Sequence, residues 1–441
     1  MIPQTQRTTP VSSSESAAQW SLPARLAFRF GFCYFLLYIY PRPVGSLGAL
    51  VKYNNPLRDL WHALVPWAGT HVLHLSGNFT EVANGSGDQI YDYVLLVCIA
   101  VTAAIATIVW SWLDRKRPNY EVLYQWLRIF VRMSVAVAMI IYGADKLFRM
   151  QFAEPALARY VDTYGQTSPM GLLWAFMGMS RAYSFLGGVG EMTGGLLLLV
   201  PSLTTLGALI TLGMMGNVLM LNFCYDVPRK IYSIHLVLFC LFLLLPDMRR
   251  LADLFLFNRT ARLTPPVPLF KDKMFNYGIL ALQIAIGIAA LTVALRAAHT
   301  DALKNVTYIE PAVLRGIWSV DEFVEDNTAR PPLLTDPERW QRVIFDVPKI
   351  VTIQAMDGTF KKYYLEFTPA PRSFKIWDVD HPRWGTALTY DMPDSNHMNL
   401  SGVIGGHPAT LKFTRVDMSD PVNFLLINRG MHWVNSYPNN R

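Results

Sequence analysis

The chain has 441 residues, of which 52% are hydrophobic and only 16% are charged, and its mean hydropathy is +0.24. This composition excludes a single soluble domain of that length, so the membrane must be its solvent. The net charge of +7 does not indicate nucleic-acid binding, because the basic residues lie beside hydrophobic runs, where they act as topology signals. The four cysteines form no CxxC or CxxCH motif, which argues against dithiol, iron–sulfur and covalent haem chemistry.

Residues 1–22 are rich in Ser, Thr, Gln and Pro and lack a secretory signal pattern, which predicts a disordered cytoplasmic tail. Residues 23–297 then form a helical membrane bundle of about seven spans, since a run of ~20 apolar residues crosses ~30 Å of hydrocarbon. The predicted spans are Leu26–Tyr40, Tyr93–Trp112, Trp126–Leu147, Tyr183–Val200, Leu203–Cys224, Tyr232–Leu245 and Met274–Leu295. Arg29 interrupts the first span and is expected to snorkel to the interface.

The distribution of Lys and Arg predicts the orientation of the spans, because cytoplasmic loops carry the excess of these residues. The loop after the second span reads DRKRPN (114–119), and the loop after the sixth span (246–273) carries six basic residues. Both loops are therefore expected to be cytoplasmic. With seven spans the N-terminus is then cytoplasmic, and everything after the last span is extracytoplasmic.

The first long outer loop, 41–92, is predicted to be amphipathic and to lie at the membrane surface. Its segment Leu57–Leu75 mixes Trp, Leu and Val with three histidines, which suits an interfacial helix. His71 and His74 are three residues apart and are weak candidates for ligands of a metal or haem, with His235 or His62 as a further ligand. The competing interpretation is that they are partly solvated side chains of an amphipathic helix.

Residues 298–441 change to short alternating runs separated by turn signals, which predicts an extracytoplasmic all-β domain, barrel or sandwich. The expected strands include RWQRVIFD, KIVTIQA, TFKKYYLEF, RSFKIWD, ATLKFTRV and NFLLIN. The stretch Gly316–Trp318, at the start of the first good strand, resembles the GxW opening of lipocalins. That resemblance implies a small barrel able to bind an apolar ligand.

Polar side chains at membrane depth mark a candidate site, because an ionisable group is costly there. The candidates are Glu191, Lys146, Asn217, Asn222, Asp226 and His235. With the predicted topology they all fall in the outer half of the bilayer. One interpretation makes Glu191 a proton-exchanging carboxylate at a pocket, with Lys146 as its charge partner and the others as the pocket wall. The other makes them structural contacts between helices.

Two motifs of the bundle resemble a known family. Gly143–Leu147 (GADKL) and Gly190–Leu198 (GEMTGGLLL) resemble the DoxX/DoxD family of bacterial membrane proteins, over about 126–245. GSGD, SPMGLLW and NFCYDVP resemble a longer subgroup with extra helices and a β tail. The resemblance implies a redox role, since some members are the small subunit of a thiosulfate:quinone oxidoreductase. A weaker resemblance, without a residue motif, is to the transmembrane part of vitamin K-dependent γ-carboxylase-like proteins.

These patterns predict a DoxX-like protein of the bacterial inner membrane, associated with redox chemistry and handling a quinone or another lipophilic molecule in the outer half of the bilayer. The alternative is a non-catalytic accessory or scaffold subunit of a membrane complex, whose β domain docks a periplasmic partner or binds lipid. A transporter is disfavoured because the sequence has no inverted repeat. The expected partners are lipid and membrane-complex subunits, and haem and metal are not favoured as cofactors.

Overall fold

In a computed structural model of the chain, the structure describes residues 19–40, 56–76, 80–81, 85–260, 269–305, 312–368, 372–378, 385–431 and 433. The chain divides into two compact units. One unit comprises Met1–Asp145 and Gly187–Arg296, and the other comprises Lys146–Leu186 and Ala297–Arg441. The segment between the third and fourth predicted spans therefore belongs with the C-terminal region.

All seven apolar runs form helices. In chain order, the helices are α1 (Leu22–Ile39), α2 (Pro56–His71), α3 (Ile90–Leu113), α4 (Glu121–Leu147), α5 (Pro169–Met179), α6 (Arg181–Leu199), α7 (Thr204–Cys224), α8 (Lys230–Leu244), α9 (Met248–Phe255), α10 (Lys273–Asn305) and α11 (Leu425–Asn428). By length and composition, six of the described helices could cross a membrane, namely α1, α3, α4, α7, α8 and α10 with their flanks. This pattern fits a multi-pass membrane protein.

The helix α6 is not among those six, although it coincides with the fourth predicted span. Five glycines and the carboxylate of Glu191 lower its hydropathy. Its glycines instead permit close packing on α4: a Cβ added at Gly195 would lie 2.8 Å from the carbonyl oxygen of Ala136, and one added at Gly143 would lie 2.9 Å from that of Gly188. Residue numbers fall on one helix as they rise on the other, so α4 and α6 are antiparallel.

The opposite side of α6 packs on α7 in the same manner. A Cβ at Gly207 would lie 2.9 Å from the backbone nitrogen of Leu198, and one at Gly190 would lie 3.0 Å from the terminal methyl of Met214. The helix α6 is thus antiparallel to two helices that are themselves candidate spans. The small residues give the close helix approach that the sequence indicates.

The end of the predicted disordered tail is ordered, which corrects the predicted boundary at residue 22. The backbone N–H of Trp20 donates to the carbonyl oxygen of Pro118 at 2.9 Å, and the Trp20 ring packs on Phe28 with 5.5 Å between centroids. The helix α1 begins at Leu22. Residues 1–18 of the predicted tail lie outside the described residues.

The Arg29 side chain reaches the connection between α3 and α4, where it is buried rather than solvated. Its side chain is 2% exposed and donates hydrogen bonds to the hydroxyl of Tyr120 at 2.6 Å, the hydroxyl of Ser111 at 2.6 Å and the carbonyl oxygen of Asp114 at 2.8 Å. Ser111 lies in the last turn of α3, Asp114 directly follows that helix, and Tyr120 directly precedes α4. The guanidinium therefore ties α1 to the connection between α3 and α4.

The predicted amphipathic helix of the first long loop is present as α2, which packs against α3. Trp61 and Val65 are buried on one side of α2, whereas Trp67 is 53% exposed on another. Residues 41–55 of this loop lie outside the described residues. The apolar segment of the next loop likewise forms a helix, α5, whose first turn is capped by the Ser168 hydroxyl.

The C-terminal region is a closed antiparallel barrel, which decides between the two predicted β architectures. Its strands are β1 (Gly316–Glu325), β2 (Thr328–Ala329), β3 (Trp340–Val347), β4 (Ile350–Ala355), β5 (Phe360–Phe367), β6 (Ser373–Asp378), β7 (Gly385–Asp391), β8 (His397–Ile404) and β9 (His407–Arg415). From β3 to β9 each strand pairs with the next, β1 pairs with both β3 and β9, and the two-residue β2 adds to β1. Eight strands therefore close the barrel.

One predicted strand is wrong. The run NFLLIN contains α11, and Val422 and Asn423 just before it hydrogen-bond the carboxylate of Asp420. The segment Leu425–Asn428 does not alternate polar and apolar residues as a strand does. It forms a helical turn instead. The strands β7 and β8 are additional to the expected ones.

The barrel interior is filled by apolar side chains, and Trp318 of the Gly-x-Trp motif lies among them with no exposed surface. Its indole N–H donates to the carbonyl oxygen of Leu314 at 2.8 Å, and the Arg415 guanidinium lies 4.7 Å from its ring centroid. Gly316 has φ +151°, a conformation that a residue with a side chain rarely adopts. The motif thus fixes how the chain enters the barrel.

The loop after α4 is attached to this barrel. The backbone N–H of Leu157 donates to the carboxylate of Asp346 on β3 at 2.7 Å, and the same carboxylate lies 3.6 Å from the guanidinium of Arg315. These contacts explain why Lys146–Leu186 belongs with the β domain.

Candidate functional site

The structure separates the predicted site residues by burial. Glu191 is 1% exposed, His235 4%, Asn222 6% and Lys146 6%. Asn217 and Asp226 are exposed. The four buried residues are therefore the ones whose polar groups need an explanation within the protein.

His235 lies at the centre of an aromatic arrangement between α1 and α8. Its ring stacks on Tyr38, with 3.6 Å between centroids and 6° between planes. Its Nδ1 lies 2.7 Å from the carbonyl oxygen of Ile231, and its Nε2 lies 2.9 Å from the hydroxyl of Tyr34. Because a carbonyl oxygen only accepts, Nδ1 carries the proton in the neutral ring, and Nε2 accepts from the Tyr34 hydroxyl.

Two further tyrosines extend this arrangement to α4. The rings of Tyr142 and Tyr232 are 6.0 Å apart, and Tyr232 interacts electrostatically with Tyr38. We call Tyr34, Tyr38, Tyr142, Tyr232 and His235 the Tyr–His cluster. Its members come from α1, α4 and α8, at the end of the bundle where α1 and α4 end and α8 begins.

The Tyr–His cluster lies beside a buried carboxylate. Tyr142 interacts electrostatically with Arg229, Asp145 and Glu191. Glu191 is thus brought near the cluster, as the common depth of the predicted site residues indicates. The sequence points to His235 and Glu191 but not to the four tyrosines. In the sequence these tyrosines look like ordinary aromatic residues of apolar helices.

Asn222 has a structural environment at the turn between α7 and α8. Its side-chain amide donates to the carbonyl oxygen of Arg229 at 3.3 Å and to the hydroxyl of Ser233 at 3.1 Å. These bonds hold the last turn of α7 against the first turn of α8. The contacts explain the burial of Asn222 without a ligand, which favours the structural interpretation of this residue.

Asp88 is a polar residue that the site prediction missed. Its two carboxylate oxygens accept from the backbone N–H groups of Lys230 and Ile231 at 2.7 and 3.0 Å, which caps the N-terminus of α8. Gly87 precedes it, and a Cβ there would lie 3.1 Å from the guanidinium of Arg229. The motifs GSGD and NFCYDVP therefore meet at one junction. The presence of both motifs in the sequence is the signal that could have pointed to Asp88.

Asp226 and Asn217 do not join the cluster. Asp226 lies in the turn after α7 with φ +49° and forms an exposed ion pair with Lys230 at 2.9 Å. Asn217 lies on an exposed part of α7, whereas Asn222, five residues later, is buried. Five residues rotate a helix position by ~140°, so one apolar helix presents the two amides to different surroundings.

Lys146 is buried at the end of α4, and its ammonium nitrogen lies 5.8 Å from the ring centroid of Phe152. This geometry suits a cation–π interaction. The pairing of Lys146 with Glu191 stays a prediction.

The histidines of the first outer loop do not form a shared ligand set. The helix α2 ends at His71, and His74 lies beyond it with φ +51°, so the two do not share a helix face. The Nδ1 of His71 contacts the carbonyl oxygen of Trp67 at 3.0 Å, and His62 pairs with Glu81 at 3.2 Å. Within the described residues, no group of three or more His, Cys, Asp or Glu side chains could hold a metal ion.

The Tyr–His cluster combines flat aromatic surfaces with hydroxyl and imidazole groups that can exchange hydrogen bonds. Such a combination suits a planar, mostly apolar molecule that carries a few oxygen atoms. Glu191 adds a buried group that can hold or release a proton. The arrangement therefore brings aromatic surface, hydrogen-bonding groups and an acid–base side chain together at one end of the bundle.

Comparisons with known proteins give one informative relative. No protein-family model matches the chain, and no solved structure matches it. The chain is 32% identical over 126 residues to a protein of Bacillus subtilis (strain 168) whose name is "Uncharacterized protein YwoB". The matched segment covers 28% of this chain and 79% of that protein. The chain therefore belongs to the same protein family as YwoB.

Proposed function

We propose that the protein is an integral membrane protein that binds a quinone or a similar lipophilic molecule at the Tyr–His cluster. The observation that carries the proposal is the environment of His235, which is buried, stacked on Tyr38 and hydrogen-bonded through both ring nitrogens. Both ring nitrogens of His235 have partners within the protein, as a buried imidazole requires. Of these partners, the Tyr34 hydroxyl is the one that a ligand oxygen would replace, because it belongs to a side chain of another helix and can both donate and accept.

Each residue has a distinct role in this proposal. Tyr38 and Tyr232 supply aromatic surface to a planar head group, and the Tyr34 hydroxyl turns from His235 towards a carbonyl or hydroxyl oxygen of the ligand. Glu191 exchanges protons with the bound molecule. The resemblance to the DoxX/DoxD family supports a membrane redox setting for this chemistry, in the bacterial inner membrane.

The test is binding by the full-length protein. Protein purified in a mild detergent is extracted with organic solvent, and the quinone content is measured by chromatography for wild type, His235→Gln, Glu191→Gln and Asn217→Ala. We expect co-purifying quinone in wild type and Asn217→Ala, with a large loss in His235→Gln. Binding of an added short-chain quinone, followed by quenching of protein fluorescence, gives the affinity of each variant.

Two results would count against this proposal. The first is wild-type protein that neither carries nor binds quinone or another extractable lipophile. The second is equal binding by wild type and His235→Gln, since the ligand would then lie elsewhere. Asn217→Ala is the matched control, because it changes an exposed polar residue of the same bundle.

The proposal includes seven spans, a cytoplasmic N-terminus and an extracytoplasmic barrel. The hydrogen bond between Leu157 and Asp346 supports a position of the loop after α4 and the barrel on one side of the membrane. Between them the chain passes through the short helix α5 and through α6, α7, α8 and α10, and an even number of crossings returns it to that side. Because α7, α8 and α10 are long and apolar enough to cross and α5 has only 11 residues, this arrangement favours α6 as the fourth crossing. The basic loops then assign the cytoplasmic side.

The second candidate function is that of an accessory or scaffold subunit, and the closed barrel favours it. An up-and-down barrel of eight strands that opens on a Gly-x-Trp motif resembles the lipocalins, and barrels of this size can hold one small ligand. In this interpretation the barrel docks a periplasmic partner or binds lipid. If deletion of residues 306–441 abolishes lipid binding while Glu191→Gln leaves it unchanged, the accessory function replaces the site in the bundle.

A further inference from the structure

The first half of α4 carries a buried arginine that the Tyr–His cluster does not use. Arg132 is 4% exposed. Its Nη1 donates to the hydroxyl oxygen of Thr204 at 3.1 Å, and its Nη2 donates to the side-chain oxygen of Gln283 on α10. Its Nε is buried and has no hydrogen-bond partner.

The charge of Arg132 is also uncompensated. Among the described residues, no carboxylate contacts its guanidinium, and its electrostatic neighbour Arg128 carries the same sign of charge. Asp247 is already engaged by Arg250 at 2.5 Å and by the hydroxyl of Thr205 at 2.6 Å. The oxygens of Thr204 and Gln283 satisfy two N–H groups, but being neutral they cancel no charge.

An unpaired guanidinium inside a bundle is costly. An arginine does not escape by losing its proton, and buried charges in proteins are normally paired or serve a function. The location of Arg132 therefore indicates an anion that completes the site.

The hydrogen-bonding pattern specifies what kind of anion fits. The Nε–H and one Nη–H of a guanidinium lie along the same edge and bind two oxygens of a phosphate or carboxylate side by side. In Arg132 this edge is half used, because Gln283 accepts from Nη2 and nothing accepts from Nε. A ligand that displaced Gln283 would gain both donors.

The site lies at one end of the bundle, although its side chains are buried. Thr204 is the first residue of α7, so the guanidinium lies at the level where that helix begins. Arg128 donates to the carbonyl oxygen of Leu243 at 3.2 Å, so the end of α8 and the basic loop after it lie at the same end of the bundle. Basic residues next to a span attract anionic head groups and free anions.

We propose that Arg132 is a phosphate-binding residue, which holds a phosphate group through Nε and Nη2 after Gln283 gives way. Thr204 stays on the other edge and orients the guanidinium, because its own hydroxyl donates to the carbonyl oxygen of Pro201 at 2.8 Å. The phosphate belongs either to the head group of an anionic phospholipid or to a free anion. This site is separate from the Tyr–His cluster and does not depend on the function proposed there.

The test uses full-length protein in nanodiscs of zwitterionic phosphatidylcholine. One arm titrates inorganic phosphate, and the other replaces part of the lipid with phosphatidylglycerol; in both, the shift of the thermal unfolding midpoint is measured. Native mass spectrometry counts the retained phosphatidylglycerol. The variants are Arg132→Lys, which keeps the positive charge but lacks the paired N–H donors of the guanidinium, and Gln283→Ala, which removes the competing acceptor. Arg259→Gln is the control, because Arg259 is an exposed arginine of the basic loop.

We expect saturable stabilisation of wild type and of Arg259→Gln in at least one arm, and the responding arm identifies the source of the phosphate. Arg132→Lys should bind ~10-fold more weakly, as expected for the loss of one charge-assisted hydrogen bond. Gln283→Ala should bind several-fold more tightly, a gain that a purely structural role of Gln283 would not produce. The proposal is overturned if neither arm stabilises wild type, or if Gln283→Ala binds no more tightly than wild type.

Discussion

At the scale of single residues, Asp88 shows how one carboxylate organises a helix junction. Asp88 and Lys230 are 142 positions apart in the chain, yet the Asp88 side chain satisfies two N–H groups at the start of α8. That helix carries His235 one turn later. The geometry of the Tyr–His cluster therefore depends on a residue outside the cluster.

We predict that Asp88→Ala destabilises the protein by ~1 kcal/mol, the usual cost of losing an N-terminal cap. It should also weaken ligand binding at the Tyr–His cluster, because α8 is no longer held at its first turn. Asp88→Asn should keep most of both properties, since one side-chain oxygen still accepts. Asp226→Asn is the control, because it removes an exposed ion pair at the same junction and keeps a residue that tolerates the φ of +49° there. Thermal unfolding measures stability, and equal midpoints for Asp88→Ala and Asp226→Asn would contradict the capping role.

A second residue-scale feature sets the acid stability of the barrel. Arg330 lies between β2 and β3 and contacts Asp336 at 2.6 Å, Glu325 at 2.9 Å and Glu338 at 3.2 Å. Partial burial opposes ionisation of Asp336, but the Arg330 guanidinium and the backbone N–H groups of Glu338 and Arg339 outweigh it and hold the pKa of Asp336 below its ordinary value.

The sign of this shift gives a pH prediction. A carboxylate whose pKa is lowered in the folded state contributes stability that is present above its unfolded pKa, ~3.9, and is lost as the pH falls through the folded value. Asp336→Asn should therefore destabilise the barrel at neutral pH and flatten its loss of stability below about pH 4. Thermal unfolding from pH 7 to pH 3 measures this, with the exposed Glu366→Gln as control. If the unfolding midpoint of Asp336→Asn falls with pH as steeply as that of wild type, Asp336 does not determine the acid sensitivity of the barrel.

At the scale of elements, α6 depends on glycine for its place between α4 and α7. A Cβ added at Gly195 would lie 2.8 Å from the carbonyl oxygen of Ala136 on α4, whereas one added at Gly213 on α7 would have no atom within 4 Å. Backbone atoms cannot turn aside as a flexible side chain does. A methyl at Gly195 must therefore separate the two helices.

We predict that Gly195→Ala costs ~1–3 kcal/mol, the range for overpacking a close contact. Gly213→Ala is the matched control and should be neutral or slightly stabilising, because alanine is the better helix former. Thermal unfolding in the same detergent compares the two variants. If both shift the midpoint equally, the α4–α6 contact does not depend on the missing side chain.

At the scale of the whole molecule, the proposed topology rests on the attachment of the loop after α4 to the barrel. In that topology α6 is a crossing helix, although it is not among the helices that qualify by length and composition. A helix with five glycines and a glutamate can cross in this bundle because neighbouring helices, rather than lipid, surround its polar groups.

Cysteine accessibility tests this topology. In a protein whose four native cysteines are replaced, we expect Gln166→Cys and Glu366→Cys to react with an impermeant maleimide from the extracytoplasmic side. Lys116→Cys should react only after the membrane is permeabilised. All three positions are exposed, so burial does not explain a difference. Labelling of Gln166→Cys and Glu366→Cys from opposite sides would contradict the seven-span topology.

The sequence by itself determined where the helices lie and that strands follow them, because the length of an apolar run and its alternation are local properties. It also predicts that Glu191 and His235 lie at one depth, since depth follows from the rise per residue along each helix. It did not distinguish Asn222 from Asn217, because which side of a helix faces a neighbour depends on packing.

Only the tertiary structure decided the contacts between distant parts of the chain. Closure of the barrel rests on the pairing of β1 with β9, and the cap on α8 rests on Asp88. The Tyr–His cluster joins α1 to α8, and the half-used edge of Arg132 faces α10. Each of these pairs is far apart in sequence, so no local pattern specifies it, and the chain must fold before the two partners meet.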